Sequence, residues 1–158
     1  MTPAALTVCL AAACALGCTS GPETLTGVVN TVVDGDTIRL ESGETIRYLL
    51  VDTPESTNGA DDCYGTESAQ FNRDLVLGKE VSVTFDPAEM EDRFGRLLGY
   101  VEVDGIEVNT RLVERGFACV LYIPPAGEER RSEFEALERM AQAQNRGLWG
   151  ACEEVTCD

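Results

Sequence analysis

From Thr26 the chain reads as short β-strands broken at regular intervals, and that rhythm limits the available folds more than any other feature. "LTGVVNTVV" is followed by the turn "DGD", then by "TIRLESG" and "ETIRYLLV". Asp34-Gly35 between apolar runs is a hairpin signal, and Gly43 marks the next turn. Residues 56–64, "STNGADDCY", read as a polar loop. "GTESAQFNRDLVLGKE" has helical spacing, with Thr66 placed to cap it, Ala69, Phe71, Leu75 and Val76 facing inward, and Gly78 ending it. "EVSVTFD" alternates strictly, as a strand does. "RLLGYVEVDGIEVN" reads as a hairpin turning at Asp104-Gly105, "NTRLVERG" as a short helix capped by Asn109 and ended by Gly116, and "FACVLYI" as a fifth strand. Residues 128–145 form a long charged helix in which Phe134, Leu137, Met140 and Ala141 recur at core spacing.

Five short strands, with one helix after the third and two near the end, are the pattern of a partly open five-stranded Greek-key barrel with three helices, the OB-fold. A chain of 158 residues, 44% hydrophobic, is long enough for one domain with a real core, and residues 26–150 are expected to form it. Net charge is −16, and Lys79 is the one lysine among 12 bases. Such acidity argues against a protein that merely adheres to nucleic acid, because non-specific affinity comes from neutralising phosphates. It leaves open an enzyme that grips phosphate locally with a metal and a few arginines.

Residues 1–18 carry no charged side chain and are mostly apolar or small, too few for a comfortable membrane span but fitting an export signal. "ALGC" is similar to a lipoprotein cleavage site with Cys18 as the lipidated residue, although no basic residue precedes the apolar run and Ala15 stands where leucine is usual. The expectation is therefore a membrane-anchored lipoprotein at the cell envelope, with simple secretion as the alternative, joined to the domain by a tether at 19–25. Cys9 and Cys14 would leave with the signal. Cys63, Cys119, Cys152 and Cys157 remain, the last two in a tail at 151–158. An even number in an exported chain points to two disulfides, with Cys63–Cys119 and Cys152–Cys157 as the favoured pairing among three. The chain has no histidine, which removes Ser-His and Cys-His mechanisms and weakens any case for zinc.

The chemistry gathers where strands end. "IRYLLVDTPES" closes an apolar strand with Asp52 and Glu55, five and eight residues after Arg47. Asp36 follows the first hairpin turn, and Arg96 follows Gly95 at the start of a later strand. Strand alternation puts Arg47, Leu49 and Val51 on one side and Tyr48, Leu50 and Asp52 on the other. Carboxylates on the rims of neighbouring strands suit a hard cation, and Asp36, Asp52 and the carbonyl of Thr53 offer three oxygens to Ca²⁺, with room for water and a phosphate oxygen. Pro54 keeps Thr53 extended. Glu55 falls beyond the ion, placed to orient a water, and two arginines can fork onto phosphate oxygens. These are the parts for in-line attack on a phosphodiester. The same pattern equally allows Asp36 merely to cap a turn and Arg47 to form a structural ion pair with Asp52 or Glu55.

"VVDGDTIRL", "IRYLLVDTPES", "CYGTESAQF", "DRFGRLLGYV", "VNTRLVERGFA" and "NRGLWG" resemble, in order and spacing, the staphylococcal nuclease-like (thermonuclease) family across residues 26–150. The resemblance implies an OB-fold barrel and Ca²⁺-dependent hydrolysis of DNA and RNA to 5′-hydroxyl and 3′-phosphate ends. By position it makes Asp36, Asp52 and Thr53 the metal ligands, Arg47 and Arg96 the phosphate-binding arginines, and Glu55 the general base or water-orienting group. Arg93 and Phe94 fall at the substrate-binding loop, where the family often has lysine and tyrosine. Tyr122 matches an aromatic of the nucleotide pocket, and Pro124 stands where a second tyrosine is expected. A monomer acting on DNA and RNA is expected. The rivals are a non-catalytic OB-fold module that binds nucleic acid or protein, and a phosphodiesterase acting on small substrates.

Overall fold

The structure, a computed structural model, describes residues 23–57, 59 and 62–157. The segment expected to be an export signal, with Cys9, Cys14 and Cys18, most of the expected tether, and Asp61 lie outside the described residues. The strands are β1 (Thr24–Val32), β2 (Thr37–Leu40), β3 (Thr45–Tyr48), β4 (Glu80–Phe85), β5 (Leu97–Val103) and the two-residue β6 (Ile106–Glu107). The helices are α1 (Gly65–Val76), α2 (Val108–Arg115), α3 (Arg131–Ala143) and the single turn α4 (Leu148–Ala151), with a 3₁₀ turn at Glu128–Arg130 leading into α3.

Antiparallel pairing runs in the order β3-β2-β1-β4-β5-β6, and β3 then pairs parallel with β5. That last pairing closes five strands into a mixed barrel with helices around it, the OB-fold architecture expected from the sequence. Alternation fills the interior: Val81, Val83 and Phe85 of β4 and Val101 and Val103 of β5 are buried together with Ile38, Leu40 and Ile46. Asp104 and Gly105 both have positive φ, the tight turn needed between β5 and β6.

Three local expectations need correcting. Residues 117–123 are not a strand. Cys119 makes one antiparallel bridge with Asp52, and the N–H of Val120 goes to the Glu138 carboxylate at 2.9 Å, which takes it out of any ladder. Residues 97–103 supply the fifth wall instead. Neither expected cap operates as drawn: Tyr64 precedes α1 and Glu107 precedes α2, each without a side-chain cap. Asn109 is buried inside α2 and works as a clasp, taking the N–H of Val101 and donating to the carbonyls of Leu49 and Gly99. Met140 lies exposed, while Phe134 and Ala141 are the buried positions of α3.

The disulfides also differ from the favoured pairing. The bonds are Cys63–Cys152 and Cys119–Cys157, with Cα separations of 5.9 and 6.1 Å. The tail is instead a strap. Leu148, fully buried, anchors α4 by donating its N–H to Gly116, and this delivers Cys152 to the start of α1 and Cys157 to the segment after α2.

Candidate active site

The site is built where β3 stops. The apolar run from Glu44 to Val51 looks like one strand, but the ladder ends at Tyr48 and Leu50 takes φ +60°, a left-handed conformation that costs a non-glycine residue energy. The bend is held on both sides of Leu49: its N–H reaches the Gly99 carbonyl, and its carbonyl accepts from Asn109. The Leu50 side chain, 3% exposed, crowds against Gly127, where a Cβ would meet it at 2.8 Å. Burial of a leucine, about 1.5–3 kcal/mol, offsets the backbone cost.

This bend cancels the strand alternation. Arg47 and Asp52, expected on opposite faces, meet at 3.0 Å between Nη2 and Oδ1. The same guanidinium contacts Asp36 Oδ2 at 3.0 Å through Nη1, and it also donates to the carbonyls of Tyr48 and Val51. Arg47 is thus held between two carboxylates from different strand ends, with its side chain 13% exposed. An ion pair so far out of water needs this many partners to repay its desolvation.

Asp36 is fixed from several directions. Its Oδ2 also accepts from the N–H and the hydroxyl of Thr53, at 3.0 and 3.1 Å, and its Oδ1 accepts from the Thr37 hydroxyl. Thr53 comes so close to the first turn that a Cβ on Gly35 would lie 2.6 Å from its hydroxyl, so only glycine fits there. Burial, together with the negative charge of Asp36, pushes the Asp34 carboxyl up to about 7. Asp34 therefore adds less negative charge to this corner than a free aspartate would. Behind it, the buried Tyr48 hydroxyl donates to Asn72, and Asn72 donates to the Asp34 carbonyl, which fastens the turn to α1.

A second arginine arrives through barrel closure. In the parallel β3–β5 register Arg47 lies opposite Leu98, which places Arg96 just outside the end of β5 on the same rim. Asp92 holds it, accepting from the Arg96 N–H, the Phe94 N–H and the Arg96 Nε at 3.0, 2.9 and 2.7 Å. Burial alone would raise the Asp92 pKa, but these hydrogen bonds outweigh it and keep the carboxyl below its usual value. Phe94 is 68% exposed, with the guanidinium carbons of Arg93 and Arg96 at 4.7 and 5.5 Å from its ring centre.

Arg47, Arg93, Phe94 and Arg96 line one cavity of about 430 Å³, whose far wall includes Leu121 and Ile123. Tyr122 is not among its lining residues. Its ring lies under Arg131, at 4.7 Å, and a hydrogen bond with Glu128 raises its pKa. Glu55 also lies outside the lining, on the exposed loop after Asp52, with its carboxylate accepting from the Thr57 hydroxyl at 2.8 Å. Strand patterning gave no sign of Leu121, Ile123 or Asp92 as parts of the site. Asp92 had a local signal, since aspartate two residues before the N–H it accepts is a recurrent turn device.

The donor set fits a hard cation. Asp36 and Asp52 already converge on the positive charge of one guanidinium, their donors are oxygens, and the four cysteines among the described residues are all in disulfides. No group of three or more acidic, cysteine or histidine side chains that could hold a metal ion occurs among the described residues, so the side-chain donors here are two carboxylates.

The staphylococcal nuclease homologue family model matches residues 45–151. The chain belongs to the staphylococcal nuclease family. Among curated relatives, the SPbeta prophage-derived endonuclease YokF of Bacillus subtilis (strain 168) is 35% identical over 129 residues, covering 78% of this chain and 44% of that protein. Endonuclease YncB of the same organism is 35% identical, covering 78% of this chain and 61% of its own length. An uncharacterized endonuclease of Escherichia coli O157:H7 is 36% identical, covering 82% and 80%. The chain thus spans about half the length of the two Bacillus relatives. The family match takes in Arg47, Asp52 and Arg96 and begins after Asp36.

Proposed function

We propose that this chain is an exported, Ca²⁺-dependent nuclease that hydrolyses DNA and RNA phosphodiesters with little sequence preference and leaves 3′-phosphate ends. The observation that carries the reading is one guanidinium, Arg47, shared between the Asp36–Asp52 carboxylate pair and a cavity it lines with Arg96. A structural ion pair has no need of a second arginine across an open cleft. Kinship with endonucleases supports the same reading.

Asp36, Asp52 and the Thr53 carbonyl would hold Ca²⁺, which when bound supplies divalent charge beside the scissile phosphate. Arg47 and Arg96 take the non-bridging oxygens and stabilise the charge that grows on them. Glu55 orients the attacking water and takes its proton as the new P–O bond forms and the bond to the 5′ oxygen breaks. Phe94, with the apolar wall of Leu121 and Ile123, gives a base a surface to rest on. Tyr122 is carried by the resemblance as a stacking group at the edge of this region. The N-terminal signal, with Cys18 as lipid acceptor, anchors a monomer at the cell envelope in this proposal.

The test is digestion of plasmid DNA and of RNA with Ca²⁺ and then with a chelator, using the parent and Glu55→Gln. Cleavage that stops with the chelator and falls steeply in Glu55→Gln is the expected result. Binding without cleavage would identify a scaffold module, and equal rates on a dinucleotide ester and on long DNA would identify a small-substrate phosphodiesterase.

A further inference from the structure

Glu55 is exposed, and the hydroxyl that its carboxylate accepts from belongs to Thr57, two residues away on the same loop. A neighbour on that loop cannot fix where the loop itself stands. Asp62 can. Its Oδ2 accepts from the Glu55 N–H at 3.0 Å, and its own N–H donates to the Glu55 carbonyl at 3.0 Å, so one residue closes the loop through both peptide groups of Glu55.

Asp62 is in turn tied to rigid parts of the molecule. Its carbonyl accepts from the N–H of Gly65, the first residue of α1. Gly65 lies so close that a Cβ there would sit 2.6 Å from the Glu55 carbonyl oxygen. The next residue, Cys63, is bonded to Cys152, which caps α4 with its N–H on Leu148. The chain from Asp62 to Gly65 is therefore pinned by a helix start on one side and a covalent bond on the other.

We infer that Asp62, held by the Cys63–Cys152 bond, is a positioning residue for Glu55. The inference rests on the hydrolytic role proposed for Glu55. In this role Asp62 acts through Glu55 and takes no part in the bond-making itself. It sets the place from which the Glu55 carboxylate reaches them, and misplacing a reacting group by about 1 Å costs on the order of a hundredfold in rate.

The experiment compares Asp62→Ala, Asp62→Asn and the paired Cys63→Ala/Cys152→Ala variant of the full chain, each in the parent and in a Glu55→Gln background. The readouts are kcat, KM, thermal midpoint and Ca²⁺ affinity by calorimetry. Asp62→Ala is expected to lower kcat by about ten- to a hundredfold with KM and Ca²⁺ affinity unchanged. Asp62→Asn, which keeps an acceptor for the Glu55 N–H, restores most of the rate. The cysteine pair gives a smaller kcat loss and reports even where Asp62→Ala folds poorly. In the Glu55→Gln background none of these changes costs anything further. Equal losses in both backgrounds, or an unchanged kcat in Asp62→Ala, would overturn the positioning role while leaving Glu55 in place. A fully active Glu55→Gln overturns the role of Glu55 itself, and the inference with it.

Discussion

Two arginines face one cavity, and they are held in opposite ways. Arg47 is built into the fold: its partners come from the first turn, from the end of β3 and from the segment beyond it, and its side chain is 13% exposed. Arg96 is built into a turn: Asp92, four residues earlier, holds it, and its side chain is 32% exposed. The first arrangement cannot change without disturbing the barrel rim. The second rests on contacts within one turn, Asp92 to Arg96 and Gly95 to Asp92. A single site thus combines a wall held by distant elements and a wall held locally.

The largest effect that would sharpen this contrast belongs to Arg47→Ala. We expect a rate loss of about a hundred- to a thousandfold, the scale of a lost electrostatic donor. A stability loss of about 3–5 kcal/mol should accompany it, because two carboxylates are left facing each other out of water. Added Ca²⁺ should raise the melting temperature of this variant more than that of the parent, and an absence of that extra shift would mean that Asp36 and Asp52 do not bind the ion together.

Arg96→Ala comes next. It should lose about a hundredfold in rate, yet cost less unfolding free energy than Arg47→Ala in a denaturant titration, because this half-buried pair lies within one turn. Equal destabilisation of the two variants would break the comparison outright.

Acid should separate the walls more gently. The Asp92 carboxyl has a lowered pKa in the folded state, so the stability it lends its turn is present above the unfolded value, about 3.9, and fades as pH falls through the lower folded value. Hydrogen exchange at the Phe94 and Arg96 amides should accelerate below about pH 4 before the barrel amides respond. Simultaneous loss of protection throughout would show that the turn is no independent unit.

The smallest change is Phe94→Tyr. It adds a hydroxyl to the exposed ring that lines the cavity and, on the proposed function, should lower KM by about two- to tenfold, the worth of one hydrogen bond, with kcat little altered. An unchanged KM would place the phosphate out of reach of this ring.

The barrel was legible because β-strands advertise themselves twice, by alternation and by the turns that separate them. Asp34-Gly35 and Asp104-Gly105 punctuate the chain where the structure turns. Asp36 and Asp52 were expected together at neighbouring strand ends, but the same alternation put Arg47 and Asp52 on opposite faces, and it was the family resemblance that gathered all three. Other features were not legible, for physical reasons. Leu50 carries no local mark of a left-handed bend, because its conformation is imposed by contacts with Gly127 and by the bonds that Gly99 and Asn109 make to Leu49, all distant in sequence. The disulfides follow the path of a tail whose anchor, Leu148 on Gly116, is likewise non-local. Residues 117–123 look like a strand because they are apolar, yet Ala118 and Cys119 are the buried ones, while Leu121 and the exposed Ile123 line the cavity.

The parallel join between β3 and β5 has one more effect. Within the ring of five strands it leaves no long row of unsatisfied peptide groups for a neighbouring molecule to extend, and the two-residue β6 is too short to offer one. Crowding many copies together should therefore yield a clear solution rather than fibrils.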